Sequence, residues 1–431
     1  MAALGAGREA LTVHGAVQVP GDKSVSHRAL MLAALSEGTS QIRGILQSED
    51  VQATARVLRS LGWEVPEVGP EMVVHGRGLR SPAGAPVSIL DCGNSGTTTR
   101  LMAGIAAAQP FASTFTGDAS LSRRPMRRVA DPLEAMGARV EWLDAADRLP
   151  MRLHGAALHS IAWEIPVASA QLKSAVLLAG LCARVGVKVR EPAPTRDHTE
   201  QMLRASGVPV TNDGEWITLE PVASLPPATW NVPGDPSSAA FFLALCALAD
   251  QGSLVLDNVL VSQWRDGFVR ALRRMGASIS DETSFGNDGS TMSGYIVNGG
   301  RPLQGITLPP GDVPGMIDEL PLLAVVAARA EGETVVRGAA ELRVKESDRI
   351  AVTVANLQAI GVDAVELPDG FIVRGTDARL QGEVQAHADH RIAMAFGILG
   401  ATRNTEITVD DRECVAVSYP GFWSDLERVS A

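Results

Sequence analysis

At 431 residues, 45% of them hydrophobic, the chain is about three times a common domain length and has material for two or three sizeable cores. Its 38 Lys and Arg against 49 Asp and Glu give a net charge of −11, and aromatic residues make up 4%. That balance disfavours a general nucleic-acid binder, which needs a broad basic surface and rings for stacking, and the longest apolar run, around Ala239 to Ala249, falls far short of the roughly 18 to 20 residues of a membrane-spanning helix.

In chain order, Met1 to Ala10 comes first; it contains Arg8 and Glu9 and lacks a charged stretch followed by an apolar core, so it does not read as a secretory leader. The expected compartment is the cytoplasm. Two patterns then alternate. In one, a polar or Gly-containing turn precedes a small-residue apolar helix and a strand, with copies beginning near Gly21, Gly93, Ser169, Gly234, Gly315 and Asp389. In the other, a helical stretch ends on Leu and then Gly before a strand, at Leu58 with Gly62, Leu133 with Gly137, Leu203 with Gly207, Leu272 with Gly276, and Leu357 with Gly361. Gly at a helix stop is the left-handed cap.

The copies start 65 to 81 residues apart, so six units of about seventy fill the chain. Each is expected to be a β-α-β-α-β type element with one helix apolar on all sides, hence buried, and sheets outside. Pro and Gly at Val19 to Gly21 and Thr229 to Pro236 mark places where the chain could cross between two three-unit domains, residues 21–232 and residues 1–20 plus 233–431. Cys92, Cys182, Cys246 and Cys414 lie far apart with no C-x-x-C pair, and are expected to be reduced and mostly buried.

The starts of the apolar helices carry the polar residues, and a helix N-terminus attracts anions through its free N–H groups and partial positive charge. The first unit puts Lys23, Ser24 and Arg28 there; the second has a small turn, Asn94 to Thr97, before Arg100, followed by Arg123, Arg124, Arg127 and Arg128. An acidic protein that concentrates cations in this way is expected to bind a small polyanion, although the Arg123 to Arg128 cluster, standing alone, reads as a solvated face. Asp318 and Glu319 open the fifth buried helix, where they could act as N-cap charges alone. The run Arg343 to Arg349 alternates charges, with Glu346 and Arg349 three apart, and Asp389, His390 and Arg391 open the sixth helix. There is no G-x-S-x-G elbow and no Walker spacing.

Eight strings in order carry a resemblance over nearly the whole chain: P-G-D-K-S-V-S-H-R-A-L, G-N-S-G-T-T-T-R-L, R-R-P at Arg123 to Pro125, S-A-Q-L-K-S-A, T-R-D-H-T-E, P-G-D-P-S-S-A-A, R-V-K-E-S-D-R and D-H-R-I-A-M-A. The chain resembles the 5-enolpyruvylshikimate-3-phosphate synthases of the enolpyruvyl transferase family. The resemblance implies a two-domain inside-out α/β barrel of six β-α-β-α-β-β repeats, three per domain, with the active site in the cleft between them. It implies transfer of the enolpyruvyl group of phosphoenolpyruvate to the 5-hydroxyl of shikimate 3-phosphate, through a tetrahedral intermediate and with release of phosphate. No metal or organic cofactor, no nucleic acid and no membrane is expected to take part, and the protein is expected to be a monomer.

Carried over position by position, Lys23, Ser24, Arg28, Ser169, Gln171 and Arg196 would hold shikimate 3-phosphate, with Ala170 beside them and Lys345 near the substrate. Lys23, Arg124, Arg349 and Arg391 would clamp phosphoenolpyruvate in a pocket lined by the turn with Asn94 and Gly96. Asp318 would take the proton of the attacking hydroxyl, Glu346 would exchange the proton at the methylene carbon, and Lys23 would stabilise charge. Three departures give the chain class II traits: Ala170 stands where many members have a second Ser, T-R-D-H-T-E replaces a Ser-Tyr pair, and Val417 to Pro420 lack a cation. Gly96 is the small residue on which competition by glyphosate for the phosphoenolpyruvate pocket depends. The alternatives are the sister enzyme that loads enolpyruvate onto UDP-N-acetylglucosamine, whose opening reads G-x-K-N and whose mobile loop carries a reactive Cys, and a non-enzymatic anion-binding protein on the same scaffold.

Overall fold

The computed structural model describes residues 8–81, 89–285 and 291–430. Most of the segment Met1 to Ala10, from which the lack of a leader is read, therefore lies outside the described residues. The chain divides into two compact units: Gly21–Val232, and Pro233–Ala431 with the segment up to Pro20.

The repeat is displayed in full by its second copy. A strand Ile89–Asp91, the apolar helix Gly96–Ala107 and a strand Ala112–Thr116 form a parallel crossover; the helix Arg127–Ala135 and the strands Arg139–Trp142 and Met151–His154 complete the sheet. Its strands lie in the order first, second, fourth, third, and the sheet of the third copy, Ile161–Glu164 through Ile217–Leu219, has the same order. A parallel neighbour requires a long crossover, which the apolar helix supplies, whereas the last two strands pair antiparallel through short turns. The other copies are trimmed versions. In the fifth, isolated bridges at Gln304 and Thr307 stand in for the first strand. The sixth has one parallel pair, Leu380–Val384 with Thr405–Val409, and then the helix Phe422–Val429. There Tyr419, Phe422 and Trp423 pack edge to face, and Phe422 and Tyr419 reach Phe241 and Phe242, so aromatic packing replaces the hairpin.

Two strands change places. Thr12–Val17 lies parallel to Gln251–Leu260 as the first strand of the fourth copy, and Thr229–Asn231 takes the corresponding place beside Glu37–Arg43 in the first copy. Each half of the repeat set thereby has its leading strand.

Every residue of the helix His390–Ala401 is buried, as is every residue from Ser237 to Ala247 in the helix Pro236–Ala247. The sheets bury one face only: along Glu71–Arg77 exposed and buried residues alternate. Helices inside and sheets outside is the α/β architecture that the sequence leads one to expect. Gly104 shows how close the inner helices come, since a Cβ there would lie 2.2 Å from the Ala175 carbonyl oxygen. The helix-stop glycines Gly62, Gly137, Gly207, Gly276 and Gly361 all have φ between 77° and 114°, as a left-handed cap requires. Cys92, Cys182 and Cys246 are buried and Cys414 is half-buried, all with free thiols; burial pushes Cys92, Cys182 and Cys414 up to about 12 and Cys246 up to about 11, which leaves them unreactive. Among the described residues, no helix is long and apolar enough to cross a membrane, and no group of His, Cys, Asp and Glu side chains is arranged to hold a metal ion.

Candidate active site

In the unit Gly21–Val232 the polar residues cluster at the starts of the inner helices. Asp22 caps the helix Lys23–Leu35 by accepting from the Val25 N–H at 2.8 Å, and Lys23 donates to Asp50 at 3.1 Å. Arg28, one turn further on, is 4% exposed and is held by neutral groups: the Thr199 hydroxyl at 2.6 Å, the Ser24 carbonyl at 2.9 Å and the Ser174 hydroxyl at 2.7 Å. Burial lowers its pKa to about 10, against the opposing pull of Glu200 and Asp22 and with the charge of Arg196 adding to the fall. Three strings far apart in sequence, around Lys23, Ser169 and Arg196, thus meet at one guanidinium.

Ser95 caps the helix that begins at Gly96, and the turn is tied to Arg124, whose Nη2 donates to the Asn94 side-chain oxygen at 2.8 Å. Arg100 donates to Gln171 at 2.6 Å, and Gln171 donates to Thr97 at 2.9 Å, which joins the Gly96 turn to the Ser169 helix start. Of the arginines at 123–128, Arg124 is buried whereas Arg123 and Arg127 are exposed, so the cluster is split between site and surface. Ser169 stands at the N-cap position without a side-chain cap bond; it, Ala170 and Arg196 are half-buried.

In the other unit, Asp318 lies in the 3-10 segment Pro310–Glu319, and Glu319 stands at the N-cap position of the helix Leu320–Ala327 but makes no side-chain capping bond. They pair with cations instead. Asp318 Oδ1 accepts from Lys345 at 3.3 Å and from Arg349 at 3.4 Å, and its carbonyl accepts from Arg391 at 3.1 Å. Arg349, 1% exposed, also meets Glu346 at 2.6 Å and grips both oxygens of Asp389, at 2.8 and 3.1 Å. Burial works against its charge, but Asp389, Glu346 and Asp318 together outweigh burial and hold its pKa above the ordinary value. Asp389 in turn is held below the ordinary carboxylate value: burial would raise it, and Arg349 more than reverses that. The run Arg343 to Arg349 is therefore only partly the surface turn that its charges suggest, with Arg343 paired to Asp348 at 2.8 Å and Arg349 inside. Arg391, 8% exposed, also donates to Glu319 at 3.3 Å.

Sequence reasoning passed over two buried cations. Lys173, 1% exposed, pairs with Glu191 at 2.8 Å and Glu200 at 2.7 Å, fastening the segment that carries Arg196 and Thr199 to the Ser169 helix. A lone Lys in an apolar helix was its signal, since such a charge must find a counter-ion. Arg265 donates to Asp235 at 2.9 Å and Ser237 at 2.8 Å. Nothing in its local sequence marks it.

The chain matches the family model described as EPSP synthase (3-phosphoshikimate 1-carboxyvinyltransferase) over residues 8–426. It is 44% identical over 422 residues to a 3-phosphoshikimate 1-carboxyvinyltransferase of Sulfurihydrogenibium sp., covering 97% of each chain, and 48% identical over 410 residues to that of Acidithiobacillus ferrooxidans, covering 95% of this chain and 93% of the other. Among solved structures it is similar to the EPSP synthase of Acinetobacter baumannii, with a TM-score of 0.86, 41% identity, and 99% and 97% of the two chains covered. An enolpyruvyl transferase of Streptomyces tendae, NikO, shares the fold at a TM-score of 0.74 and 17% identity, with 99% and 96% covered. With the helix-start cations and the paired carboxylates in place, these matches lead to one conclusion: the chain belongs to the EPSP synthase (3-phosphoshikimate 1-carboxyvinyltransferase) family.

Proposed function

We propose that the protein transfers the enolpyruvyl group of phosphoenolpyruvate to the 5-hydroxyl of shikimate 3-phosphate. The hydroxyl oxygen bonds to the central carbon of phosphoenolpyruvate as its proton passes to Asp318, and the methylene carbon takes a proton from Glu346, giving a tetrahedral intermediate. Elimination then breaks the bond to the phosphate oxygen and returns a proton from the methyl group, which restores the double bond and releases phosphate. The observation that carries this reading is the pair of carboxylates, Asp318 and Glu346, held on one buried guanidinium at 3.4 and 2.6 Å. A scaffold that only bound anions would not require them.

The roles of the other residues follow from the company each keeps. Arg28, hydrogen-bonded to two hydroxyls and a carbonyl, keeps charge for an anion and is assigned to shikimate 3-phosphate with Lys23, Ser24, Ser169, Gln171 and Arg196. Arg124, Arg349 and Arg391, with Lys23 and the Gly96 turn, are assigned to phosphoenolpyruvate. Lys345 keeps Asp318 company at 3.3 Å and is assigned to the phosphorylated substrate. We take the protein to act as a monomer in the cytoplasm; its bacterial relatives and the lack of a membrane-spanning helix among the described residues support the second point. The test is phosphate release from phosphoenolpyruvate with shikimate 3-phosphate or UDP-N-acetylglucosamine as acceptor. Release is expected with the first and not with the second; the reverse pattern would overturn the assignment.

A further inference from the structure

We propose that Glu319 is a positioning residue for Arg391, at the end of a buried hydrogen-bond relay that begins at Arg265. Glu319 is 4% exposed, and a carboxylate placed there is costly unless its oxygens are paired. Its Oε1 has two donors, the Ser237 hydroxyl and Arg391 Nη1 at 3.3 Å. On the far side, Arg265 Nη2 donates to the same Ser237 oxygen at 2.8 Å and to Asp235 at 2.9 Å, and Asp235 accepts from the Ser237 backbone N–H at 2.7 Å.

The direction of the relay follows from the chemistry of its members. A guanidinium only donates, so Ser237 must receive from Arg265 with a lone pair. Its single hydroxyl proton is then available for Glu319, and Glu319 is left to accept from both sides. Arg391 Nη1 is thereby shared between Glu319 Oε1 and the Asp318 carbonyl, and those two acceptors fix the plane of its fork. A fork fixed in advance loses less freedom when it meets a carboxylate or phosphate.

The proposal rests on the reading of Arg391 as a clamp for phosphoenolpyruvate, and the experiment separates the two. Steady-state constants for both substrates and a thermal midpoint are measured for Glu319→Ala, Glu319→Gln, Ser237→Ala, Arg391→Lys and the double variant Glu319→Ala with Arg391→Lys. Glu319→Ala is expected to raise the phosphoenolpyruvate KM by about tenfold, with the shikimate 3-phosphate KM within about twofold of the parent. Glu319→Gln, which keeps an acceptor oxygen, should restore part of the loss, and in the Arg391→Lys background Glu319→Ala should add little. Equal effects on both substrates, a lowered midpoint with the phosphoenolpyruvate KM unchanged, or a full additional effect in the double variant would overturn the proposal. Should Glu319→Ala not fold, Ser237→Ala and Glu319→Gln decide it: both must raise the phosphoenolpyruvate KM selectively, and no change in either defeats it. If Arg391→Lys itself leaves that KM unchanged, the clamp reading fails and the relay loses its purpose with it.

Discussion

Arg28 and Arg349 are both buried guanidinium groups near helix starts, one in each unit, at 4% and 1% exposure, yet their surroundings push in opposite directions. Arg28 is held by two hydroxyls and a carbonyl, and burial brings its pKa down to about 10. Arg349 is surrounded by Asp389, Glu346 and Asp318, which raise its pKa although burial opposes them. The first is a cation hydrogen-bonded to neutral groups, with burial outweighing the pull of Glu200 and Asp22; the second is the hub of an ion network. A cation of the first kind gains much from a substrate anion, whereas one of the second kind gains less from it and holds carboxylates in place for proton transfer. On the roles proposed above, Arg28 is then a binding group, and Arg349 joins its part in the phosphoenolpyruvate clamp to holding the carboxylates.

The largest expected effect breaks the chemical half. Glu346→Gln or Asp318→Asn should lower turnover by about 10²- to 10⁴-fold with modest change in either KM, as removal of a general acid or base does. Steady-state kinetics check it, and weakened binding with near-normal turnover would make these groups anchors instead. Next comes Asp389→Asn, which strips Arg349 of its bidentate partner and should cost about 3 kcal/mol of stability at pH 7, read from denaturant midpoints. The sign with pH follows from Asp389: its folded pKa lies below the ordinary 3.8, so its contribution is present above that value and is lost as pH falls through the folded one. The gap between parent and variant should therefore close in acid and stay constant from pH 5 to 8.

The smallest effect sharpens the binding half. A Cβ at Gly96 would lie 2.9 Å from Arg100 Nη1 and 3.1 Å from Arg124 Nη1, the far ends of flexible side chains that can shift. Gly96→Ala should cost about 1 to 3 kcal/mol of glyphosate binding, raising its inhibition constant by more than the phosphoenolpyruvate KM. An equal rise in both constants would show that the methyl acts on the arginines alone.

How much of this was legible beforehand depended on whether a signal was local. The apolar helices and the Leu-then-Gly stops carry their own patterns, so the repeat and its architecture could be read from residues such as Leu58 with Gly62. Lys23, Arg28 and Arg391 stood out because cations at the start of an apolar helix need a reason to be there. Pro and Gly at Val19 to Gly21 and Thr229 to Pro236 marked the crossings, whereas the strands that Thr12–Val17 and Thr229–Asn231 join were hidden, because what such short strands pair with is decided by the rest of the sheet. Partner chemistry was hidden in part: Glu346 lies three residues from Arg349, but Asp389 beside Arg349, and Ser174 and Thr199 beside Arg28, come from other repeats. Glu319 resembled a cap because it precedes Leu320 and Pro321, and only the fold brings Ser237 and Arg391 to it.

The division of labour is tested most directly on Arg28 itself. Calorimetric titration of shikimate 3-phosphate into Arg28→Gln, alongside its melting curve, measures the two quantities that the comparison separates. Ser174 and Thr199 already lie 2.7 Å apart and can bond to each other once the guanidinium is gone, so the fold should lose little. Affinity should fall by at least about tenfold, as expected on losing charge-assisted hydrogen bonds, with the melting temperature within a few degrees of the parent. A variant that melts far lower but binds shikimate 3-phosphate as before would contradict the account.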